Sequence, residues 1–98
     1  MAKGILLVQS RPSSPNAVDD YHRWYDETHI PEILAVDGFV SARRLEGPDG
    51  DFFTVYEVDD VDAARAAMAE ARAAGSMTRP LGVELDPPPT VRWLRDLT

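Results

Sequence analysis

The chain has 98 residues, with 17 acidic side chains against 10 lysines and arginines, a formal net charge of −7 and no cysteine. This length predicts a single domain over residues 1–98, and the lack of cysteine excludes disulfides, thiol catalysis and cysteine-ligated zinc. A nucleic-acid partner is disfavoured, because phosphate contacts need a basic surface. No apolar run approaches the roughly 20 residues of a membrane span, so we expect a soluble, cytoplasmic protein without a membrane partner.

The first third of the chain predicts a strand followed by a helical segment. Lys3–Ser10 is a short apolar run that is typical of a buried strand. Asn16 is a candidate N-cap for the helix that follows. Pro31 inside a helix would lose a hydrogen bond and clash with the preceding turn, so we expect a break or kink near His29. A second short helix is then predicted over Pro31–Val36.

The remaining two thirds predict a hairpin, a helix and a final strand. In the turn between the two hairpin strands, Pro48 presets φ and Gly50 accepts a positive φ. An alanine-rich helix follows, capped by Asp59 or Asp60 and ending at Gly75. These elements are the strands Phe39–Glu46 and Asp51–Val58, the helix up to Gly75 and the strand Thr90–Asp96.

The order β-α-β-β-α-β predicts an α+β, ferredoxin-like domain with a four-stranded antiparallel sheet. Two helices on one face of that sheet leave the other face uncovered. Five large aromatic side chains are assigned to this open face, which is too many to leave in water on a small monomer. We therefore expect a homodimer in which two sheets pair face to face. The five residues are Phe39, Phe52, Phe53, Tyr56 and Trp93.

The first helical segment carries the residues best suited to chemistry. His22, Asp26 and His29 are spaced by four and three residues, which puts them on one side of an α-helix. A carboxylate that holds an imidazole fixes its tautomer and raises its basicity, as a general base near neutral pH requires. Tyr21 and Tyr25 flank the group and are candidate donors to a developing oxyanion. We favour His29 as the acid–base residue because it lies at the predicted helix break.

Plainer interpretations apply to most of these residues. His22 fits a partly buried packing residue, and Trp24 fits a core residue as well as a ligand-stacking platform. A metal site at the two histidines is disfavoured, because one helical face rarely converges three ligands on one ion. No metal and no cofactor are therefore predicted. Strand alternation sends Arg43 and Arg44 to opposite faces, so one can bind a ligand carboxylate or enolate, or pair with the acidic first helix.

The stretch 21–32, YHRWYDETHIPE, with Gly38-Phe39 and Arg43-Arg44 after it, resembles the EthD-like branch of the dimeric α+β barrel superfamily. The shared features are a Trp-Tyr pair, His-Ile-Pro, Gly-Phe and one or two arginines. The resemblance implies a two-sheet dimer and makes His29 the motif histidine, while His22 falls outside the pattern. Characterised members of the wider superfamily include cofactor-independent isomerases, polyketide cyclases, monooxygenases and dehydratases, alongside haem-handling proteins.

The sequence thus leads to a hypothesis of a cofactor-free isomerase, cyclase or lyase that acts on a small, largely apolar carbonyl, lactone or polyketide-like compound. His29 would move the proton, Asp26 would orient the His29 imidazole, and Tyr25 or an arginine would polarise the carbonyl oxygen of the substrate. The acidic surplus favours a neutral or weakly acidic ligand. The alternatives are a non-catalytic small-molecule binder or accessory protein, and a cofactor-free monooxygenase. The residues expected to contact the ligand are His22, Tyr21, Trp24, Arg43 and Arg44.

Overall fold

A computed structural model describes residues 2–97. In it, strands and helices follow one another in the predicted order β-α-β-β-α-β. All neighbouring strands are antiparallel, and the sheet has the order β2-β3-β1-β4. This arrangement is compatible with a ferredoxin-like fold. The strands are β1 (Gly4–Ser10), β2 (Phe39–Glu46), β3 (Phe52–Val58) and β4 (Thr90–Arg95).

The first helix, residues 18–34, runs through Pro31 in helical conformation, so the break predicted near His29 does not occur, but a π-helical turn that ends at His29 interrupts the regular α-helix. It consists of α1 (Val18–Arg23), a π-helical turn (Trp24–His29) and α2 (Ile30–Leu34). His29 and Ile30 keep right-handed helical angles, and the Ile30 N–H donates to the carbonyl of Tyr25, five residues back. Pro31 lies in the first turn after this wider turn, where its missing N–H is best tolerated.

The second helix, α3 (Val61–Ala73), begins and ends as the sequence predicts. Its N-cap is Asp60, whose Oδ2 accepts a hydrogen bond from the Ala63 N–H at 3.0 Å. Gly75 follows the helix with a φ of 76°, the left-handed conformation that favours glycine at a helix end. No side chain caps α1, so the predicted cap at Asn16 is wrong.

Both helices pack on the same face of the sheet, and the main core lies between them. Within residues 2–97, no helix is both long enough and apolar enough to cross a membrane. The core takes alternate side chains from β1 and β3 and one stripe from each helix. Its buried members include Leu6, Val8, Tyr56 and Val58 from the sheet and Ile33, Val61, Ala64 and Met68 from the helical side.

Most of the aromatic residues assigned to the open face lie on the helix face instead. Phe39 and Tyr56 are buried in the core, Trp93 packs against it, and Phe52 contacts Tyr21. Successive side chains of a strand point to opposite faces of the sheet. The strand sequence alone does not say which of the two alternating sets faces the helices. The open face carries Phe53 from the five, together with Ile5, Leu7, Leu45, Val55 and Leu94.

Candidate functional site

A cleft of about 710 Å³ opens on the helix face of the sheet. Its walls come from both helices and from the sheet, and the loop of residues 77–89 forms the remaining side. The lining is mostly apolar, and the volume lies within the range of small-molecule sites, roughly 300–1,000 Å³. The deeper lining side chains include Leu6, Val8, Met68, Val83 and Trp93.

Hydrogen bonds hold the loop of residues 77–89 over this cleft. The Glu32 carboxylate accepts from the Thr78 N–H at 3.1 and 3.2 Å and from the Thr78 hydroxyl at 2.6 Å. These bonds lower the pKa of Glu32 below its usual value, the side-chain bond most. In the middle of the loop, Val83 forms a β-bridge with Pro12, and Gly82 has a φ of 75° and lies against the first helix, where a Cβ would not fit easily.

Three side chains of the cleft lining each carry a buried polar atom without a hydrogen-bond partner within residues 2–97: Trp24 Nε1, His29 Nδ1 and Tyr56 Oη. Other buried side-chain atoms without a partner belong to Arg44 and Asp51, which do not line the cleft. An unpaired buried donor or acceptor costs about 1–3 kcal/mol, so native proteins rarely leave one. Three of them in one apolar cleft are therefore suited to a ligand that carries polar atoms of its own.

His29 lies in the cleft as a packed, neutral imidazole. Its ring stacks on Trp24 with centroids 4.4 Å apart, and it meets Tyr25 edge-on at 5.4 Å. Burial, with a smaller contribution from the positive charge of Arg72, lowers the pKa of His29 to about 4. The imidazole is therefore uncharged at neutral pH.

The structure does not bring Asp26 to His29. Asp26 instead accepts a hydrogen bond from Arg44 Nη1 at 3.3 Å, and the same nitrogen lies 3.0 Å from His22 Nδ1, which acts as its acceptor. The π-helical turn between His22 and His29 is the cause. A π-turn holds about one residue more than an α-turn, which rotates the following residues by about 100° around the axis. The expected orienting role of Asp26 toward His29 has no support in this geometry.

Arg44 faces the helices and Arg43 faces away, as strand alternation predicts. The guanidinium of Arg44 lies over the rings of Tyr25 and Tyr21, 4.8 and 5.5 Å from their centroids. The two tyrosine hydroxyls are hydrogen-bonded to the Ser10 hydroxyl, at 2.9 and 2.6 Å respectively. Burial raises the pKa of both phenols. These hydroxyls are thus engaged in a buried cluster beside the cleft and are not free to hold an oxyanion.

Tyr56 is a candidate functional residue that the sequence interpretation did not include. Burial raises the pKa of its hydroxyl well above the ordinary value, so the group stays protonated at all physiological pH values. A signal was present: Tyr56 lies on the same face of β3 as Thr54 and Val58, so its hydroxyl is buried if that face packs on the helices.

Within residues 2–97, no three histidine, aspartate or glutamate side chains are grouped so that they could hold a metal ion. The resemblance of residues 21–32 to the EthD-like branch stays a prediction. No protein-family model matches the chain, and no curated protein matches it significantly.

Proposed function

We propose that this chain is a cofactor-independent acid–base enzyme of the isomerase, cyclase or lyase type, which binds a small, largely apolar carbonyl compound in the cleft. The observation that carries the proposal is that three side chains lining one mostly apolar cleft, Trp24, His29 and Tyr56, each have a buried polar atom without a partner within residues 2–97. A carbonyl compound matches this set, because it has an apolar body, an oxygen that accepts hydrogen bonds and an acidic C–H bond beside the carbonyl.

In this proposal His29 takes the proton from the carbon next to the carbonyl, and the C–H electron pair moves to form an enolate. The Tyr56 hydroxyl, protonated because of its raised pKa, donates a hydrogen bond to the enolate oxygen. The imidazolium that forms lies against the face of Trp24, where a cation is stabilised. In a carbonyl compound with a neighbouring C=C bond, the enolate extends over that bond, and return of the same proton to its far carbon moves the double bond with no other reactant.

Proton transfer can be measured before the natural substrate is known. We would incubate 2-tetralone, a small apolar ketone, with the protein in D2O and follow loss of its α-proton signals by NMR. We expect exchange faster than in buffer, abolished by His29→Gln and slowed about 100-fold by Tyr56→Phe.

His22→Gln is the matched control, because His22 lies on the same helix but contacts Arg44 outside the cleft. Circular dichroism would establish that all variants are folded. Exchange at the wild-type rate in His29→Gln would remove His29 from the mechanism.

A second candidate function, non-catalytic binding of a small molecule, has one observation in its favour. The low pKa of about 4 makes His29 a weak base, and within residues 2–97 no carboxylate is hydrogen-bonded to its ring to raise its basicity. Under this function, 2-tetralone would bind, as seen from shifts of the indole N–H signals, and its α-protons would exchange at the rate in buffer.

We also propose that two copies of the chain pair through the open faces of their sheets. Support comes from the aliphatic and aromatic side chains of that face, among them Ile5, Leu7, Phe53 and Val55, with Leu45 still 41% exposed. A two-fold pairing would cover this face with an identical one, which closes the assembly at two copies.

A further inference from the structure

The cleft is lined by three arginines and, within residues 2–97, by no acidic side chain. This local excess of positive charge stands in a chain whose formal net charge is −7. The arginines are Arg65 and Arg72 on α3 and Arg79 on the loop. Their placement is therefore opposite in sign to the molecule as a whole.

None of these three arginines forms an ion pair within residues 2–97; the ion pairs there belong to Arg23, Arg44 and Arg95. Asp62, three residues before Arg65 on the helix, is a possible partner by spacing. Its carboxylate is instead paired with Arg95 at 2.8 Å. The guanidinium groups at the cleft are thus left for another anion.

The spacing on α3 directs its two arginines to the same side of the helix. Arg65 and Arg72 are seven residues apart, which is two turns and roughly 10 Å along the axis. Ala69 and the buried Met68 lie between them in the lining. Both arginines are exposed, so they lie at the rim while the deeper lining is apolar.

Arg72 also acts on the interior of the cleft. Its positive charge lowers the pKa of both His29 and Tyr56, although burial is the larger influence on each. The charge at the rim is therefore felt where the unpaired polar atoms lie. The cleft therefore has an apolar interior and a rim that carries guanidinium groups.

We propose that the ligand is an amphipathic carboxylate, with its apolar body inside the cleft and its carboxylate at the basic rim, where Arg65, Arg72 and Arg79 lie. Guanidinium groups bind carboxylates through two parallel hydrogen bonds, which suits this position. The inference rests on the proposed function and names its substrate class as a keto or enol acid. It replaces the neutral ligand expected from the overall charge, because the local charge of the cleft decides what binds.

The test compares two probes of nearly equal shape, 2-naphthoate and its neutral counterpart 2-naphthamide. Binding is followed through the indole N–H signals of Trp24 and Trp93 in NMR titrations, because both side chains line the cleft. We expect 2-naphthoate to bind about tenfold or more tightly than 2-naphthamide at low salt, and the difference to shrink as salt is added.

The triple variant Arg65→Gln, Arg72→Gln, Arg79→Gln should lose this preference and keep the wild-type Kd for 2-naphthamide. Arg23→Gln is the matched control, since Arg23 is an exposed arginine of the first helix and does not line the cleft. Equal or tighter binding of 2-naphthamide, or a preference that survives in the triple variant, would overturn the carboxylate assignment.

The proposed function fails separately from this inference. If 2-tetralone undergoes exchange that depends on His29 while 2-naphthoate has no advantage, the carboxylate assignment alone is overturned. If neither naphthalene probe shifts the indole signals and 2-tetralone shows no accelerated exchange, both are overturned.

Discussion

At the residue scale, the hydroxyl of Tyr56 differs from that of Tyr21 in one respect that stability measurements can detect. Both side chains are fully buried, but the Tyr21 hydroxyl is hydrogen-bonded to Ser10 at 2.6 Å and the Tyr56 hydroxyl has no partner. A satisfied buried hydrogen bond contributes about 1 kcal/mol, whereas an unsatisfied hydroxyl carries only the cost of its desolvation.

Tyr56→Phe should therefore leave the free energy of unfolding unchanged or raise it, while Tyr21→Phe should lower it by about 1 kcal/mol. Urea denaturation of the two variants and the wild type measures this difference directly. The same Tyr56→Phe protein should be impaired in 2-tetralone exchange, which separates a functional hydroxyl from a structural one. Equal destabilisation by both substitutions would mean that the Tyr56 hydroxyl has a partner after all.

His29 makes stability depend on pH in a defined window. Its pKa falls from 6.5 to about 4 on folding, so between these values the unfolded chain binds a proton that the folded chain does not. Stability therefore rises as the pH increases from about 4 to 6.5 and levels off above that. The full difference corresponds to about 3 kcal/mol.

His29→Gln removes this titration, so its free energy of unfolding should vary less between pH 4 and 7 than that of the wild type. The carboxyls of Glu32 and Asp60 have lowered pKa values and contribute stability that is lost only as the pH falls through those values. Asp60 is the same in both proteins, and the Thr78 hydrogen bonds, which include the largest cause of the low pKa of Glu32, are kept in the variant, so these carboxyls contribute little to the comparison. Parallel pH profiles for the two proteins would show that His29 is not buried as described.

At the element scale, the first helix shows where sequence patterns stop being sufficient. The spacing of His22, Asp26 and His29 assumes an α-helix throughout, and the sequence contains no signal that specifies a π-turn over Trp24–His29. Pro31 indicated an irregularity at the correct place, but the chain accommodates it by widening a turn and not by breaking the helix. As a consequence, Asp26 is hydrogen-bonded to Arg44, and His29 lines the cleft.

The second helix and the strands were predictable because their signals are local. Asp60 and Gly75 mark the ends of α3 through chemistry that needs no tertiary contact. The alternation of Arg43 and Arg44 follows from strand geometry alone. Which face of the sheet the helices cover depends on packing, and this is why Tyr56 was assigned to the wrong side and left out of the candidate site.

Asp60 gives a prediction for α3. Its two carboxylate oxygens accept hydrogen bonds from the N–H groups of Ala63 and Ala2, at 3.0 and 2.8 Å. Asp60→Ala removes both and should lower the free energy of unfolding by about 1 kcal/mol, whereas Asp60→Asn, which still caps helices well, should cost less. Thermal or urea denaturation measures both variants. An unchanged stability in Asp60→Ala would contradict the capping role.

At the scale of the whole molecule, net charge and local charge point in different directions. The acidic surplus disfavours a nucleic-acid partner on general grounds, whereas the arginines at the cleft rim lead us to propose an anionic ligand. The sequence could not reveal this arrangement, because Arg65, Arg72 and Arg79 line one cleft only when α3 and the following loop pack around it.

Assembly is the other property of this scale, and the open sheet face makes it testable. Light scattering of the wild type should give twice the mass of one chain. Phe53→Glu places a charge in the middle of the proposed interface and should yield a folded monomer. Leu81→Glu, an exposed loop position outside that face, should leave the mass unchanged. A monomeric wild type would rule out the pairing of sheets.

The central claim, that the π-turn puts His29 into a ligand cleft and leaves His22 outside it, is tested most directly by NMR of the two imidazoles. The chain has two histidines, so a long-range ¹H–¹⁵N spectrum resolves both. Our account predicts that His29 is neutral at pH 7 and that its ring signals shift when 2-naphthoate or 2-tetralone is added, while those of His22 stay in place. A shift confined to His22, or a charged His29 at pH 7, would contradict it.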